Sequence, residues 1–524
     1  MPKTPNQNDS FVPTDNQKLI HARIKQDRDN LPVGMSMFWQ DIIQYRDYTA
    51  GKHAIILTDK QKTILRNLLN DRFCDNVCKQ IVGEANGRIA FNGWECSNDA
   101  VKKWLDIFFK TAKVKARQTD IHFRALRDGN FAVAVNWDAD EQRVNLYKED
   151  WWNGTSGVYI HYDDTDDADY AVKEWTYWSY TTDSGGTQQY PIQIRRRVIW
   201  FEDRVEKWEA LDGVGFDGWV AAPSPQDQDG NNEPQWPVPW VDIEGKPMGI
   251  PYIHFPNAHY MWGDYGLSEL AGGVLGFQDQ LNDMQYNISI TGKMTGAQMY
   301  YATGVKLKKD PATQLAVPIT VDAGMFHTSE NEKSQFGVLS PGDISQQIAG
   351  YNLKLKRVAQ ITATPVHIIT GGDWPSGEAL LRAELPAVSK AKTQINTFSD
   401  CWIEVAAFAM KIYNRFKPSG KPIVNYDLED GLIEACFDDP EKRDIVSRSI
   451  VVHNMIPNIS IREGLRILGY SDERAQDVWD EMVEEQAQSA DTMLTASNAR
   501  SRPGMGTSSK QSMGGNNNSN SNAK

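Results

Sequence analysis

The chain has 524 residues, 69 acidic and 55 basic, for a net charge of −14. With 40% hydrophobic and 24% charged residues it is neither disordered nor fibrous, and it is long enough for several folding units around a large core. No apolar run of about 18 residues and no leader-like start argue against a membrane or secreted protein. The acidic balance argues against static gripping of nucleic acid, because phosphate neutralisation needs clustered cations.

Residues 1–15 are polar with three prolines, and 488–524 drift into Ser, Asn, Gly and Gln, so both ends are expected to be disordered. Between them the apolar spacing predicts helices at 37–48, 59–81 and 97–127, the last capped by Ser97 or Asn98. The period then changes. Phe131, Val133, Val135 and Trp137 alternate, as do Val144 and Leu146 after an Asp-Ala-Asp-Glu turn, which predicts a hairpin. Further strand signals at 170–180, 192–201, 204–210 and 251–255 make 131–256 a β-rich insert. Eleven of the 17 tryptophans lie between Trp137 and Trp262, so the enrichment belongs to this one region.

From Asp264 the pattern is helical. Leu267, Leu270, Val274, Phe277, Leu281, Met284 and Ile288 form a stripe of about 3.5-residue period, with Gly272, Gly276, Asp279 and Asp283 on the other face. A second stripe, Ile344, Ile348, Tyr351, Leu355 and Val358, has Lys356 and Arg357 opposite. The intervening 293–342 holds strand-like runs at 298–307 and 315–321, broken by prolines. After Pro365, the string Val-His-Ile-Ile-Thr-Gly-Gly-Asp-Trp-Pro-Ser-Gly-Glu reads as an irregular loop. A long helix then starts near Ser376, kinked at Pro386 and striped by Ile395, Phe398, Trp402, Val405, Ala409, Ile412 and Phe416; it would run about 40 residues, or on the order of 60 Å. Short helices at 440–455, 460–468 and 471–487 close the ordered part, the middle one opened by a Ser460/Glu463 capping box.

Candidate chemistry is sparse. The five cysteines (Cys74, Cys78, Cys96, Cys401, Cys436) are scattered, as suits a reducing compartment, and Cys74 and Cys78 have no partner at metal-ligand spacing. Gly372 to Glu378 has phosphate-loop glycines but puts Glu378 where a lysine must meet phosphate. The run Asp163, Asp164, Asp166, Asp167 and Asp169 lacks the glycine and terminal Glu of a calcium hand. The nine histidines form no His-Glu-x-x-His, and no Gly-x-Ser-x-Gly accompanies them. Asp150 beside Trp151 and Trp152, or Glu174 beside Trp175, would suit a carbohydrate-binding or glycoside-hydrolase-like β-domain. Aromatic core residues on alternating strands account for the same letters. The expectation is therefore no enzyme, no cofactor and no metal.

Four strings in order carry a resemblance. Trp262-Gly-Asp-Tyr-Gly-Leu-Ser-Glu-Leu through Leu-Gly-Phe-Gln-Asp-Gln-Leu-Asn282 resembles the Gly-x-Ser-x-Leu … Leu-Gln-Asp-x-Leu-Asn stem of tailed-bacteriophage portal proteins. Thr364-Pro-Val to Pro375-Ser-Gly-Glu-Ala-Leu is similar to the Thr-Pro … Pro-Ser-Gly-x-Ala-Leu that follows their second stem helix. Tyr45-Arg-Asp-Tyr-Thr-Ala-Gly51 resembles their N-terminal Tyr-x-x-Tyr-x-x-Gly, and Ile456 to Gly469 their crown.

The resemblance implies an α+β portal fold: a wing at 16–261 with the β-rich insert, a stem helix at 262–292, a small α/β clip at 293–342 and a second stem helix at 343–364. A tunnel loop at 365–377, a long kinked helix returning to the wing at 378–430 and a crown at 431–487 would follow. It also implies a virion protein, assembled in the host cytoplasm, whose homo-oligomeric ring of about 12 subunits passes double-stranded DNA at one capsid vertex. Its partners would be the terminase motor, the head–tail adaptor and the major capsid and scaffolding proteins, with no membrane involved. On this expectation His367, Ile368, Ile369, Thr370, Asp373 and Trp374 touch DNA, while Asp279, Asp283, Lys356 and Arg357 face the channel. Leu267, Leu270, Val274, Phe277, Leu281, Met284, Ile348, Tyr351 and Leu355 would pack subunits together. The long Trp-rich insert has no role in the family pattern.

Overall fold

The computed structural model describes residues 21–26, 35–53, 75–163, 165, 167–182, 189–211, 219–221, 236–260, 263–296, 300–305, 310–312, 331, 333–338, 344–370, 377–424 and 433–441, with 463–465, 476, 478–480 and 483. The chain divides into two compact units at Pro440, and the helices and strands named below belong to the first, Met1–Pro440. Most of the short helices expected beyond 440 lie outside the described residues, as do the run 315–321 and most of 59–81.

Helices and strands are grouped in an α+β arrangement, with the strands from Asn130 to Leu267 following one another between two helical segments. Helix α1 is Met35–Thr49, α2 Val77–Gly87, α3 Asp99–Thr111 and α4 Val114–Asp128. Asn98 caps α3 as expected, its Oδ1 accepting from the amides of Ala100 and Val101. The single helix expected over 97–127 is two, because Lys113 takes a left-handed backbone (φ 53°) between buried Ala112 and Val114. The break lets two short amphipathic helices each turn an apolar face inward, which one straight helix would not do.

Strand β1 (Phe91–Cys96) pairs antiparallel with β15 (Ile433–Phe437), so the start of the segment assigned to the crown by resemblance lies in this core. Strands β2 (Asn130–Asp138) and β3 (Arg143–Asp150) form the predicted hairpin, and β10 (Tyr252–Pro256) adds to β2. A second sheet runs in the order β4 (Gly157–Tyr162), β5 (Ala168–Thr182), β6 (Gln189–Trp200), β7 (Arg204–Leu211) and β8 (Val220–Ala221), with β9 (Val238–Pro239) also on β7. The insert expected at 131–256 is thus two sheets.

Two main cores result. In the first, the 40-residue helix α8 (Gly377–Phe416), with Pro386 inside it, packs on the β2 sheet and on β15, with Phe398 and Trp402 meeting His122 of α4 and Phe91 of β1; Val405, Ala409 and Ile412 are buried in the same core. Trp402 stacks on Phe91 at 4.6 Å and donates its indole N–H to His122 Nε2 at 2.9 Å. Burial lowers the pKa of His122 to about 4, so the ring is neutral; Nδ1 faces the Ile89 carbonyl. The second core holds Trp151, Trp152, Tyr159, Trp208 and Trp219 with Ile24 and Ile42. Core packing therefore accounts for much of the tryptophan excess.

Strands β11 (Ala258–Tyr260) and β12 (Gly263–Leu267) form a ribbon that leads into helix α5 (Val274–Gly296). Here β12 passes so close to the end of α4 that a Cβ on Gly129 (φ 84°) would lie 2.8 Å from the Gly266 carbonyl oxygen. Only glycine fits that crossing. Strands β13 (Tyr300–Thr303) and β14 (Gln335–Val338) pair antiparallel, followed by α6 (Ser345–Ile361) and the single turn α7 (Val366–Thr370).

Candidate functional site

The apolar stripe read as one helix from Asp264 does not start there. Leu267 sits on β12 and Leu270 in a turn; Gly272 and Gly273, at φ 71° and 91°, complete that turn before α5 begins at Val274. The stripe is satisfied inside one protomer: Leu270, Val274, Leu281 and Leu355 are buried in the first core, with Phe277 and Tyr351 packed against it. Met284 Cε lies against Gly350, and Ile348 remains 45% exposed. The residues expected to join subunits mostly join α5 and α6 to their own protomer. Amphipathic spacing reports that one face is buried, not which surface buries it.

Helices α5 and α6 run antiparallel. Lys354 Nζ donates to Gln280 Oε1 at 2.6 Å, and Met284 meets Gly350, so numbers rise on one helix as they fall on the other. A polar collar ties the pair to α1 and α2. Buried Gln278 accepts from the amides of Val77 (3.0 Å) and Cys78 (3.3 Å) and donates to the Asp75 carbonyl (2.8 Å), which closes the N-terminal turn of α2. The Asp75 carboxylate accepts from Tyr351 Oη (2.8 Å) and Gln285 Nε2 (3.2 Å), and Asn282 Nδ2 lies 2.9 Å from His53 Nδ1.

Asp279, expected on a channel face, accepts from Tyr48 Oη at 2.7 Å. Burial and this carboxylate push the Tyr48 hydroxyl well above the ordinary tyrosine range, so it stays a donor at neutral pH. Asp283, Lys356 and Arg357 are exposed.

A second polar cluster joins the end of α6, the turn before α5 and the long helix. Lys390 Nζ pairs with Glu269 and donates to the Thr362 carbonyl at 2.9 Å. Gln394 Nε2 donates to Glu269 (2.7 Å) and to Asn257 (2.8 Å). Two residues before Pro386 the charge pattern repeats, with Arg88 Nη1 3.4 Å from Glu384 and His367 Nε2 3.7 Å from the same carboxylate. Gln278, Gln285, Lys390 and Gln394 were not singled out from the sequence, because a polar residue on an amphipathic helix reads as solvent-facing, whereas Asp279, Tyr351 and His367 were singled out for other roles.

Of the six residues assigned to a moving loop, His367, Ile368, Ile369 and Thr370 lie on the helical turn α7, where the irregular reading fails. Pro365 supplies the start of that turn, its carbonyl accepting from the Ile368 amide, and Thr370 Oγ1 donates to the Val366 carbonyl at 3.0 Å. Ile369 is buried. Asp373 and Trp374 lie outside the described residues, as does most of the Gly372–Glu378 string.

The carboxylates considered for sugar chemistry are held by arginines. Glu174 is buried against Arg197, Nε to Oε1 at 2.6 Å, and accepts from Arg195 at 3.2 Å; Asp150 accepts from Arg124 at 2.8 Å. Trp151 and Trp152 are buried core residues, not a sugar platform. Asp163 folds its carboxylate onto the amides of Thr165 and Asp167, an Asx-type turn that lowers its pKa. Among the described residues no group of three or more His, Cys, Asp or Glu is placed to hold a metal, and no helix is long and apolar enough to cross a membrane.

No family model matches the chain, and no curated protein matches it. Among solved structures, the neck of a native GTA particle computed with C12 symmetry is similar over 79% of this chain and 94% of that one, at 13% identity and a TM-score of 0.36. The neck of an empty GTA particle computed with C6 symmetry is similar over the same shares, at 12% identity and a TM-score of 0.37.

Proposed function

We propose that the chain is the subunit of a phage portal ring, a passage for double-stranded DNA at one capsid vertex. The observation that carries this reading is the antiparallel α5–α6 pair. It is tied to the α1–α2 region by Gln278, Asp75 and Tyr48, with the β13–β14 ribbon between the two helices in sequence. The helical turn α7 and the 40-residue α8, which returns to the first core, follow in the order that the four resembling strings require. In this reading α5 and α6 are the stem, the segment between them the clip, and the two cores the wing.

The net charge of −14, repeated around a ring, gives a passage that repels phosphate rather than one that holds it. DNA contact falls to the segment after α7, with Asp373 and Trp374 at its centre. The chain itself carries no phosphate-binding lysine in Gly372–Glu378, so ATP hydrolysis belongs to a separate terminase motor docked on the clip, later replaced by a head–tail adaptor. Electron microscopy of the purified chain tests the reading: rings with a central hole are expected, and a uniform monomer or dimer at assembly concentrations overturns it.

A further inference from the structure

Helix α6 keeps a face that its own protomer leaves uncovered. Ala349, Leu353, Arg357 and Ile361 follow one another at four-residue spacing and are all exposed, Leu353 at 68% and Ile361 at 51%, with Lys356 beside them. Two large aliphatic side chains around a guanidinium suit a packed protein surface better than a nucleic-acid backbone, which has no use for the aliphatic part. Helix α5 presents the complementary face: Gly276, Asp279, Asp283 and Asn287 are exposed. Gly276 has an ordinary helical backbone, and a Cβ placed on it meets no atom within 4 Å, so nothing inside the protomer requires glycine at a position where it weakens the helix.

The antiparallel pairing sets the heights of the two faces. With Lys354 against Gln280, three residues forward on α6 and three back on α5 bring Arg357 level with the turn from Gly276 to Asp279. A copy related by rotation about an axis along the helix pair keeps that height.

We infer that the Leu353/Arg357/Ile361 face of α6 in one protomer docks on the Gly276/Asp279/Asp283 face of α5 in the next copy of the chain. By the same register Leu353 comes level with Leu281, between Asp279 and Asp283, Arg357 crosses close above Gly276, and Lys356 and Arg357 pair with the two aspartates. The contact is heterologous: two different faces of one chain meet head to tail, which is the interface type that closes rings. This rests on the ring reading proposed for the chain and names its subunit contact. It moves the four charges from the channel wall to the seam between subunits.

Reversing one side at a time tests it. D279K/D283K should sediment as a folded monomer, because Lys then faces Lys and Arg, and should lose no more stability than Y48F, which removes the same Tyr48–Asp279 hydrogen bond and spares the ring; K356E/R357E should also be monomeric, with acid facing acid. An equimolar mixture should recover rings of alternating variants, since every seam then joins opposite charges. G276L, whose side chain enters open space in the protomer, should keep the circular dichroism and melting of the wild type while losing the ring. Rings formed by either reversed variant alone, or a mixture that stays monomeric, overturn this pairing and leave the ring reading standing. A wild-type chain that forms no ring removes the ring reading itself.

Discussion

The Trp-rich sheet and the α5–α6 pair treat their large side chains in opposite ways. In the sheet, Trp178 and Tyr180 stand exposed near one end of β5, but Trp151 and Trp208 are fully inside, and the buried charges of Glu174 and Arg197 meet each other. On α6, Leu353 and Ile361 stand in solvent and charges sit beside them unburied. The interior of the first region is completed within a single chain; on the subunit contact inferred above, the exposed face of the second is completed only by another copy. The first should answer substitution with lost stability, the second with lost assembly.

The largest stability loss is expected at Arg197. Removing it takes from buried Glu174 its buried guanidinium partner, and breaking a buried ion pair on one side costs about 3–5 kcal/mol. R197A should therefore lower the urea midpoint strongly. An E174L/R197M chain, which removes both charges and keeps the volume, should recover most of it. If R197A unfolds like the wild type, the sheet is not a self-sufficient region.

Acid should open the first core next. His122 is held neutral in the fold, with its pKa lowered from 6.5 to about 4 by burial, whereas the unfolded chain takes up the proton near 6.5. Protons therefore bind the unfolded state preferentially below 6.5. The stability this ring contributes is full above that pH and lost as pH falls toward 4, by about 3 kcal/mol at 1.36 kcal/mol per pKa unit. Urea unfolding of the wild type against H122Q at pH 7 and pH 4.5 reads the difference; equal pH dependence would show that His122 is not the responsible group.

A smaller effect is expected where α8 meets the turn before α5. K390M leaves Glu269 with its Asn257 and Gln394 donors but without a cation, and takes a donor from the Thr362 carbonyl, for a loss of about 1–3 kcal/mol. Thermal melting at fixed pH checks it. An unchanged melting temperature would mean that the cluster is solvated and does not fix the turn.

What the sequence discloses follows the same division. The stripe on α8 and the β2–β3 hairpin are legible because a buried face imposes a period on the letters. The start of α5 is not, since Leu267 and Leu270 keep helical spacing while lying on a strand and in a turn; the adjacent Gly272 and Gly273 were the signal that the helix had not yet begun. Strand β15 is short and finds its partner β1 more than 300 residues away, a pairing that no local pattern encodes. The collar of Gln278, Asn282 and Asp75 was invisible for a different reason. Side-chain amides on a helix satisfy water or a neighbouring backbone equally well, and only the fold says which.

The smallest effect on stability is also the sharpest test of the contrast. Leu353 is 68% exposed, so replacing it with Asn removes almost no buried apolar area from the protomer and should change unfolding by no more than about 0.5 kcal/mol. In an assembled ring the same side chain lies between Asp279 and Asp283 of the next copy, where a buried Leu is worth about 1.5–3 kcal/mol and the loss recurs at every seam. L353N should therefore melt like the wild type as a dilute monomer yet need a much higher concentration to form rings, read by sedimentation velocity across a dilution series. Tyr351, close in sequence to this face but turned inward to Asp75, provides the opposite control: Y351F should shift the melt and spare the assembly threshold. If both variants shift only the melt, the exposed face of α6 is ordinary surface, and the seam between subunits lies elsewhere on the chain.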